Sequence, residues 1–315
     1  MEQILFENVV NELLMRHDKK GNNLKLVSLI ASDSKSVFSH SFGIREAVDV
    51  RSIAKPILCL AYGAAINEGL FFDNDRIGLE TYIWKYIKKY SHVVDGEQAK
   101  KWERVQLIDL FRITLGHKKG IVFSKDVKEV GENDLVNYIV NFPITEEIGK
   151  HFVYSNAGGY LASSLISEYC GISADKFVDK YIFAPLGIVD YSWKKYGKYC
   201  AGCTGLLMYN EDLHKIAQLI CNDGIYEGKQ IVPKEWIKAM RTPHVPSPTH
   251  RYIGDRAFPK WSYGLNLWIC EDGTYYCDGS DGQYMIIIPS NGTVITVMGH
   301  QSDTLPISET LGLFK

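Results

Sequence analysis

Hydrophobic positions near the start of the chain repeat first with a helical period and then with a strand period. Within the first 22 residues the spacing predicts an amphipathic helix. Its apolar face carries Leu5, Val9, Leu13 and Leu14. From Asn23 to Gly43 apolar and polar residues alternate, with turn-forming residues at Asp33-Ser34-Lys35. This pattern predicts a β-hairpin that follows the helix.

Helical periodicity dominates the middle of the chain, and the pattern becomes extended again from Tyr263. The predicted helices are Leu58–Glu68, Gln106–Thr114, Glu132–Val140, Tyr160–Tyr169, Ala174–Ile182 and Glu211–Asn222. The predicted strands are Tyr263–Ile269, Thr274–Cys277, Gln283–Pro289 and Thr293–Gly299. Tight hairpin turns are expected between the strands, because Asp-Gly or Asn-Gly occurs at 272–273, 281–282 and 291–292.

Strands at both ends of the chain and helices between them predict an α+β fold. Both termini would form one antiparallel sheet, flanked by helices, with a mostly helical subdomain inserted. We expect the sheet subdomain to comprise residues 1–50 and 225–315 and the helical subdomain residues 51–224, with the site in the cleft between them. The proline-containing stretch Thr242–Thr249 is expected to be a surface loop at the rim of that cleft.

The composition is typical of a globular protein, with 46% hydrophobic and 23% charged residues among 315. The formal net charge of -2 gives no reason to expect nucleic acid or an anionic membrane as a partner. Acidic residues interrupt the apolar positions of the N-terminus, so no signal peptide is expected there. No apolar run approaches the length of a membrane span. We therefore expect a cytoplasmic protein.

The cysteines support the same location, because seven scattered cysteines are more typical of reduced thiols than of a disulfide framework. Cys200 and Cys203 form the one C-x-x-C pair. A tetrahedral zinc site would need a second pair, so no metal and no cofactor are expected. No Walker loop, His-Glu-x-x-His or dinucleotide fingerprint occurs either.

The first candidate for chemistry is the segment Ser52-Ile53-Ala54-Lys55, which opens an apolar helix. Residues three positions apart share a helical face, so the Lys55 amine can approach the Ser52 hydroxyl. The helix N-terminus favours a developing oxyanion and, together with burial, is expected to make Lys55 an effective base. This spacing alone is a weak signal, because an N-cap serine and a surface lysine would look the same.

Two further segments carry candidate polar groups. In Tyr154-Ser155-Asn156 the tyrosine can relay protons, and the asparagine can contact substrate and hold the lysine. Near the C-terminus, Cys277-Asp278-Gly279-Ser280 lies between two predicted strands, where a backbone N–H can serve an oxyanion hole. Each segment could instead be an ordinary turn.

The order of these three segments resembles that of serine β-lactamases, D-alanyl-D-alanine peptidases and related esterases. The resemblance extends from about Asn23 onward and includes Ile231-Val232-Pro233, Tyr263-Gly264-Leu265 and Gly282-Gln283-Tyr284. It implies a serine hydrolase, closest to the class C or esterase-like branch. The expected substrate is a small-molecule ester, amide or peptide-like compound, and the oligomeric state is left open.

The resemblance also implies roles for individual residues. Ser52 would be the acylated nucleophile, Lys55 its base and Tyr154 a proton-transfer group that also activates the deacylating water. Asn156 would contact substrate. The oxyanion hole would be formed by the backbone N–H groups of Ser52 and Ser280.

The third segment departs from the family pattern, in which Lys-Thr-Gly or His-x-Gly is usual. Cys277, Asp278 and Gly279 stand there instead. Loss of the usual cation removes an attraction for a substrate carboxylate, and Asp278 is expected to add repulsion. Two alternatives therefore stay open beside the hydrolase: an acylatable sensor that deacylates slowly, and a non-catalytic scaffold. His117 is a further candidate near the cleft, although a structural role is the simpler interpretation.

Overall fold

The computed structural model describes residues 1–93, 95–247 and 257–315. The helices are α1 Gln3–Met15, α2 Ala54–Glu68, α3 Trp84–Ile87, α4 Gly96–Trp102, α5 Leu107–Phe111, α6 Ser124–Val130, α7 Leu135–Asn141, α8 Ala157–Tyr169, α9 Ala174–Val178, α10 Asn210–Cys221, α11 Lys234–Met240 and α12 Leu305–Leu311. No helix in these ranges is both long and apolar enough to cross a membrane.

Among the described residues, the strands of four or more residues lie near the two ends of the chain, and the strands between them are two or three residues long. In chain order, the strands are β1 Leu26–Ser32, β2 Val37–Ser41, β3 Val48–Asp49, β4 Phe71–Phe72, β5 Asp75–Arg76, β6 Tyr191–Trp193, β7 Lys195–Tyr196, β8 Tyr199–Cys200, β9 Leu206–Met208, β10 Ile225–Tyr226, β11 Lys229–Gln230, β12 Val245–Pro246, β13 Ser262–Tyr263, β14 Trp268–Ile269, β15 Tyr275–Asp278, β16 Tyr284–Ile288 and β17 Thr293–Gly299.

One eight-stranded sheet combines strands from both ends of the chain, in the order β12-β13-β14-β15-β16-β17-β1-β2. Neighbouring strands pair antiparallel throughout. The N-terminal hairpin of β1 and β2 joins the sheet through β17, so the first and last thirds of the chain meet there. The prediction of an α+β fold with a sheet completed by both termini is confirmed.

Both faces of the sheet are buried, because successive residues on a strand point to opposite sides. On β16, Ile286 and Ile288 join an apolar cluster that includes Phe6 of α1 and Leu311 of α12. On the same strand, Met285 and Ile287 join the larger cluster of the helical region. Helix α10 packs on this second face, against β1, β16 and β17. The subdomain boundaries at residues 50 and 225 stay a prediction.

The N-terminal helix is present, but its buried face differs from the predicted one. Phe6, Val9, Val10 and Leu13 are buried, whereas Leu14 is 55% exposed. The helix therefore packs through the face that carries Phe6 and Val10. This face is buried because α1 packs against β2 and α12. The spacing of apolar residues within the helix does not predict that packing.

The single strand predicted over Tyr263–Ile269 is wrong. The segment forms a tight hairpin of β13 and β14, in which Tyr263 pairs with Trp268. Asn266 has φ 59° at the reversal, a left-handed conformation that asparagine tolerates better than most residues. Because apolar residues flank Asn266, the hydrophobic pattern predicts a continuous strand and not a turn.

The surface loop predicted over Thr242–Thr249 is also partly wrong. Val245 and Pro246 form β12 at the edge of the sheet, where proline is compatible with a strand. Pro248 and Thr249 lie outside the described residues.

Helix α2, which begins two residues after Ser52, is buried along nearly its whole length. Its position is set by close contact with α11. A Cβ atom at Gly63 would lie 2.4 Å from ring atoms of Trp236. The indole Nε1–H of Trp236 also donates to the carbonyl of Cys59, at 3.0 Å. Glycine at 63 therefore lets the indole pack directly on the α2 backbone.

We predict that Gly63→Ala lowers the free energy of unfolding by about 1–3 kcal/mol, because the added methyl group must displace the Trp236 ring. Urea unfolding followed by tryptophan fluorescence measures this change. The matched control is Gly43→Ala, since no atom lies within 4 Å of a Cβ at that position. Equal stability of the two variants would contradict the packing described here.

Candidate active site

Ser52 lies on a short 3₁₀ turn, Arg51–Ile53, that leads into α2. The preceding residue, Arg51, has φ 53°, an uncommon backbone conformation for a side chain of this size. Polar contacts hold this turn. Asp49 accepts from the Arg51 amide at 2.8 Å, and the Arg51 guanidinium pairs with Asp49 at 3.0 Å and Asp281 at 2.7 Å. The turn is thereby tied to the segment that follows β15.

Lys55 is only 2% exposed, and its amine is surrounded by oxygen atoms. Nζ lies 3.0 Å from Ser52 Oγ, 3.2 Å from Tyr154 Oη and 3.4 Å from the carbonyl oxygen of Cys203. The amine also lies 4.8 Å from the centre of the Tyr154 ring. The structure therefore brings together the serine, lysine and tyrosine that the sequence singles out, although their catalytic roles stay a prediction.

The segment Tyr154–Asn156 is held against residues 120–122. Ser155 Oγ donates to the carbonyl of Ile121 and accepts from its amide, both at 3.1 Å. A Cβ at Gly120 would lie 2.0 Å from the Tyr154 carbonyl, so only glycine allows this approach. The backbone that carries Tyr154 is consequently held against this segment at Tyr154 and at Ser155.

Asn156 does not hold Lys55 as expected. Its Nδ2 donates to the carbonyl of Val122 at 3.0 Å, and the backbone carbonyl of Cys203 contacts the lysine instead. The buried Oδ1 of Asn156 has no hydrogen-bond partner within the described ranges. This oxygen is an acceptor that a substrate N–H could use. Contact of Asn156 with substrate stays a prediction.

The Cys200–Cys203 turn packs on the first turn of α8. A Cβ at Gly202 would lie 2.3 Å from the carbonyl of Gly159, and Ser163 Oγ donates to the carbonyl of Cys200 at 2.6 Å. This packing places the Cys203 carbonyl beside Lys55. Both thiols are buried, and burial raises the pKa of Cys203 to about 11. The pair thus contributes a backbone oxygen to the site, and no group of metal-ligating side chains occurs in the part of the chain that the structure describes.

The third segment, residues 277–280, reaches the Ser52 turn. A Cβ at Gly279 would lie 3.0 Å from the carbonyl of Val50 and 3.0 Å from Arg51 Cβ. Ser280 follows directly and is exposed, between Gly279 and the Asp281 that pairs with Arg51. Both predicted oxyanion-hole amides, those of Ser52 and Ser280, therefore belong to segments in contact. Their function as an oxyanion hole stays a prediction.

The expectation that Asp278 repels a substrate carboxylate is wrong, because the Asp278 carboxylate is paired with a cation. Lys260 Nζ lies 3.0 Å from Asp278 Oδ2, and the indole Nε1–H of Trp268 donates to Oδ1 at 2.9 Å. Lys260, which lies outside the third segment, thus places a cation beside Asp278, and the two charges pair. Cys277 is buried, and burial raises the pKa of its thiol well above the usual value, so the thiol is neutral.

His117 does not belong to this arrangement. Its ring is 3% exposed and packs edge-on against Trp102 and Phe142. Neither ring nitrogen has a hydrogen-bond partner in residues 1–93, 95–247 and 257–315. Burial lowers the pKa of His117 to about 4, from an ordinary 6.5. The structural interpretation of this residue is therefore the better one.

We predict that His117→Phe reduces the acid sensitivity of the fold. The unfolded imidazole binds a proton below about pH 6.5, whereas the folded one does so only near pH 4, so stability is lost as pH falls through this window. At pH 5 the loss is about 2 kcal/mol. Urea unfolding at pH 7.5 and 5 should show a smaller difference for the variant. The exposed His151→Phe serves as control, and an unchanged difference in His117→Phe would contradict the assignment.

The fold and the Ser-Lys-Tyr arrangement together define a chain of the serine β-lactamase and penicillin-binding-protein type. The chain belongs to the Beta-lactamase family, whose model matches residues 26–311. No match was found among curated proteins.

Solved structures support the same fold at low sequence identity. A putative beta-lactamase from Bacteroides dorei is 16% identical, with a TM-score of 0.75 and coverage of 99% of this chain and 98% of that one. EstCE1, a hydrolase with promiscuous acyltransferase activity, is 15% identical, with a TM-score of 0.72 and 99% coverage of both chains. The octameric penicillin-binding protein homologue from Pyrococcus abyssi is 19% identical, with a TM-score of 0.71 and coverage of 98% and 76%.

Four further residues contribute to the site in ways that the sequence does not predict. Cys203 acts through a backbone carbonyl, and Asn266 Nδ2 donates to the carbonyl of Lys55 at 3.3 Å. Trp268 stacks on Tyr154, and Lys260 pairs with Asp278. For Asn266 the sequence does contain a clue, because an asparagine between apolar residues indicates a turn. That clue concerns the backbone and does not predict the hydrogen bond to Lys55.

Proposed function

We propose that this protein is a serine hydrolase that transfers the acyl group of a small ester or amide to water through an ester of Ser52. The observation that carries the proposal is the position of the buried Lys55 amine, 3.0 Å from Ser52 Oγ and 3.2 Å from Tyr154 Oη. A neutral amine there can accept the serine proton as Oγ attacks the substrate carbonyl.

The remaining steps use groups that are already adjacent. The carbonyl oxygen would gain negative charge and be stabilised by the amides of Ser52 and Ser280. Tyr154 would pass the proton from Lys55 to the leaving alkoxide or amine, because its hydroxyl lies within hydrogen-bond distance of the lysine amine, at 3.2 Å. Water would then attack the Ser52 ester and give a proton to Tyr154, as Tyr154 passes its own proton to the neutral Lys55 amine. Lys55 would return a proton to Ser52 Oγ as the acid leaves, which restores the serine hydroxyl.

The paired charge at the third segment supports a preference among substrates. Since the Lys260 ammonium is bonded to Asp278, it attracts a substrate carboxylate less than an unpaired cation would. We therefore propose uncharged esters and amides as better substrates than penicillins.

A cytoplasmic location is part of the proposal, because an odd, scattered set of cysteines is typical of reduced thiols.

We predict that p-nitrophenyl acetate and butyrate are hydrolysed faster than benzylpenicillin, and that Ser52→Ala abolishes turnover. Tyr154→Phe should lower kcat by about 10²–10⁴-fold, the usual range for loss of a general acid–base group. Release of p-nitrophenol and loss of β-lactam absorbance measure the two reactions.

The matched control is Ser192→Ala, since Ser192 and Lys195 have the same three-residue spacing on a different element, at β6 and β7. This variant should keep wild-type turnover. A stable penicillin adduct without turnover would favour the slow sensor instead. Wild-type activity no higher than that of Ser52→Ala would contradict the hydrolase and leave the scaffold.

A further inference from the structure

Three residues beside the candidate site contact one another pairwise. Asp278 Oδ2 bonds the Lys260 amine at 3.0 Å, and Asp278 Oδ1 accepts from the Trp268 indole at 2.9 Å. The Lys260 amine in turn lies 4.3 Å from the centre of the Trp268 ring. Both carboxylate oxygens of Asp278 are therefore occupied, and the indole is held by a hydrogen bond and a cation.

The indole of Trp268 is the partner of Tyr154. The two rings are nearly parallel, with an angle of 16° between their planes and 5.7 Å between their centres. Trp268 is 4% exposed, and Tyr263 and Phe152 pack against it at 4.7 and 5.4 Å. The Tyr154 ring consequently stacks on a closely packed indole, and the Lys55 amine also lies near the ring.

We propose that Asp278, Trp268 and Lys260 form a clamp that positions the Tyr154 hydroxyl for proton transfer. Asp278 fixes the indole, the indole fixes the phenol ring, and the ring orientation sets the distance between Tyr154 Oη and Lys55 Nζ. The aspartate of the third segment is thus a positioning residue that acts through Trp268. The inference rests on the proposed function, because positioning matters only if Tyr154 transfers protons.

The physical reason is the short range over which proton transfer works. A general acid–base group must lie within hydrogen-bond reach of its partner, and small displacements cost rate. A phenol side chain that swings about its Cα–Cβ bond carries the hydroxyl out of this reach for part of the time. The clamp removes that freedom with a neutral ion pair, so it adds no net charge beside the developing oxyanion.

The test compares Asp278→Ala with Asp278→Asn in turnover of p-nitrophenyl butyrate. The alanine variant loses both contacts, and we expect kcat to fall about 10- to 100-fold. Asparagine keeps an oxygen acceptor for the Trp268 indole and should recover most of the loss. The matched control is Asp272→Ala, which removes a similar carboxylate–lysine–aromatic group: Asp272 bonds Lys315, and Lys315 lies 4.8 Å from the Phe258 ring. The control should retain wild-type turnover.

A double variant separates positioning from direct contact with substrate. If Asp278 acts through Tyr154, then Asp278→Ala should change the residual rate less than 2-fold in a Tyr154→Phe background. Independent, multiplying effects would overturn the proposal. So would equal losses in the alanine and asparagine variants.

A readout that needs no activity keeps the clamp distinguishable from the hydrolase itself. In Ser52→Ala protein with labelled tyrosine, the ring proton signals of Tyr154 are assigned by comparison with Tyr154→Phe. Asp278→Ala should shift these signals, since the neighbouring indole moves, while Asp272→Ala should not. Unchanged Tyr154 signals would overturn the clamp even in an active enzyme. Absence of wild-type turnover would instead overturn the proposed function, and the signals would still report on the clamp.

Discussion

A buried lysine amine is the constraint on which the rest of this structure depends. Burying an amine removes its hydrogen bonds to water, which is costly unless other polar groups replace them. Around Lys55 the compensation comes from two hydroxyl groups and one backbone carbonyl, which belong to three separate parts of the chain. The fold must therefore bring the start of α2, the segment before α8 and the turn before β9 to one point.

Close backbone contacts achieve this convergence. Glycine at 120 admits the Tyr154 carbonyl, glycine at 202 admits the Gly159 carbonyl, and glycine at 63 admits the Trp236 ring against α2. Each contact would be lost with any larger residue. The sheet contributes β15 and the following segment, which meet the Ser52 turn through Gly279 and the Arg51–Asp281 ion pair. Close steric contacts and an ion pair thus hold the segments that carry the polar groups.

The sequence predicted much of this arrangement, but with a clear physical limit. Ser52 and Lys55 could be paired because a three-residue spacing on a helix implies contact. Tyr154 could be placed only through the resemblance to a family, since nothing local ties it to a lysine 99 residues earlier. The sheet formed by both termini could be predicted because strands occur at both ends of the chain, and joining them in one sheet buries their apolar residues.

The features that the sequence did not predict have a common cause. Each depends on a contact that is distant in sequence or is made by the backbone. The Cys203 carbonyl has no sequence signal, because every residue carries one. The pairing of Asp278 is not predictable from local sequence, because its partner, Lys260, lies 18 residues away and before a hairpin that the hydrophobic pattern predicts as one strand. Leu14 was placed on the buried face since helical spacing alone does not say which neighbour the helix will meet.

The most direct measurement of the central claim is intact-protein mass spectrometry after exposure to an alkyl fluorophosphonate, with peptide mapping of the adduct. The account predicts one phosphonyl group on Ser52, formed as the Ser52 oxygen displaces fluoride. Labelling of the nearly isosteric Lys55→Met variant should be at least about 100-fold slower, because the base is gone. An adduct on another residue, or equally fast labelling without the lysine, would contradict the claim that Lys55 activates Ser52.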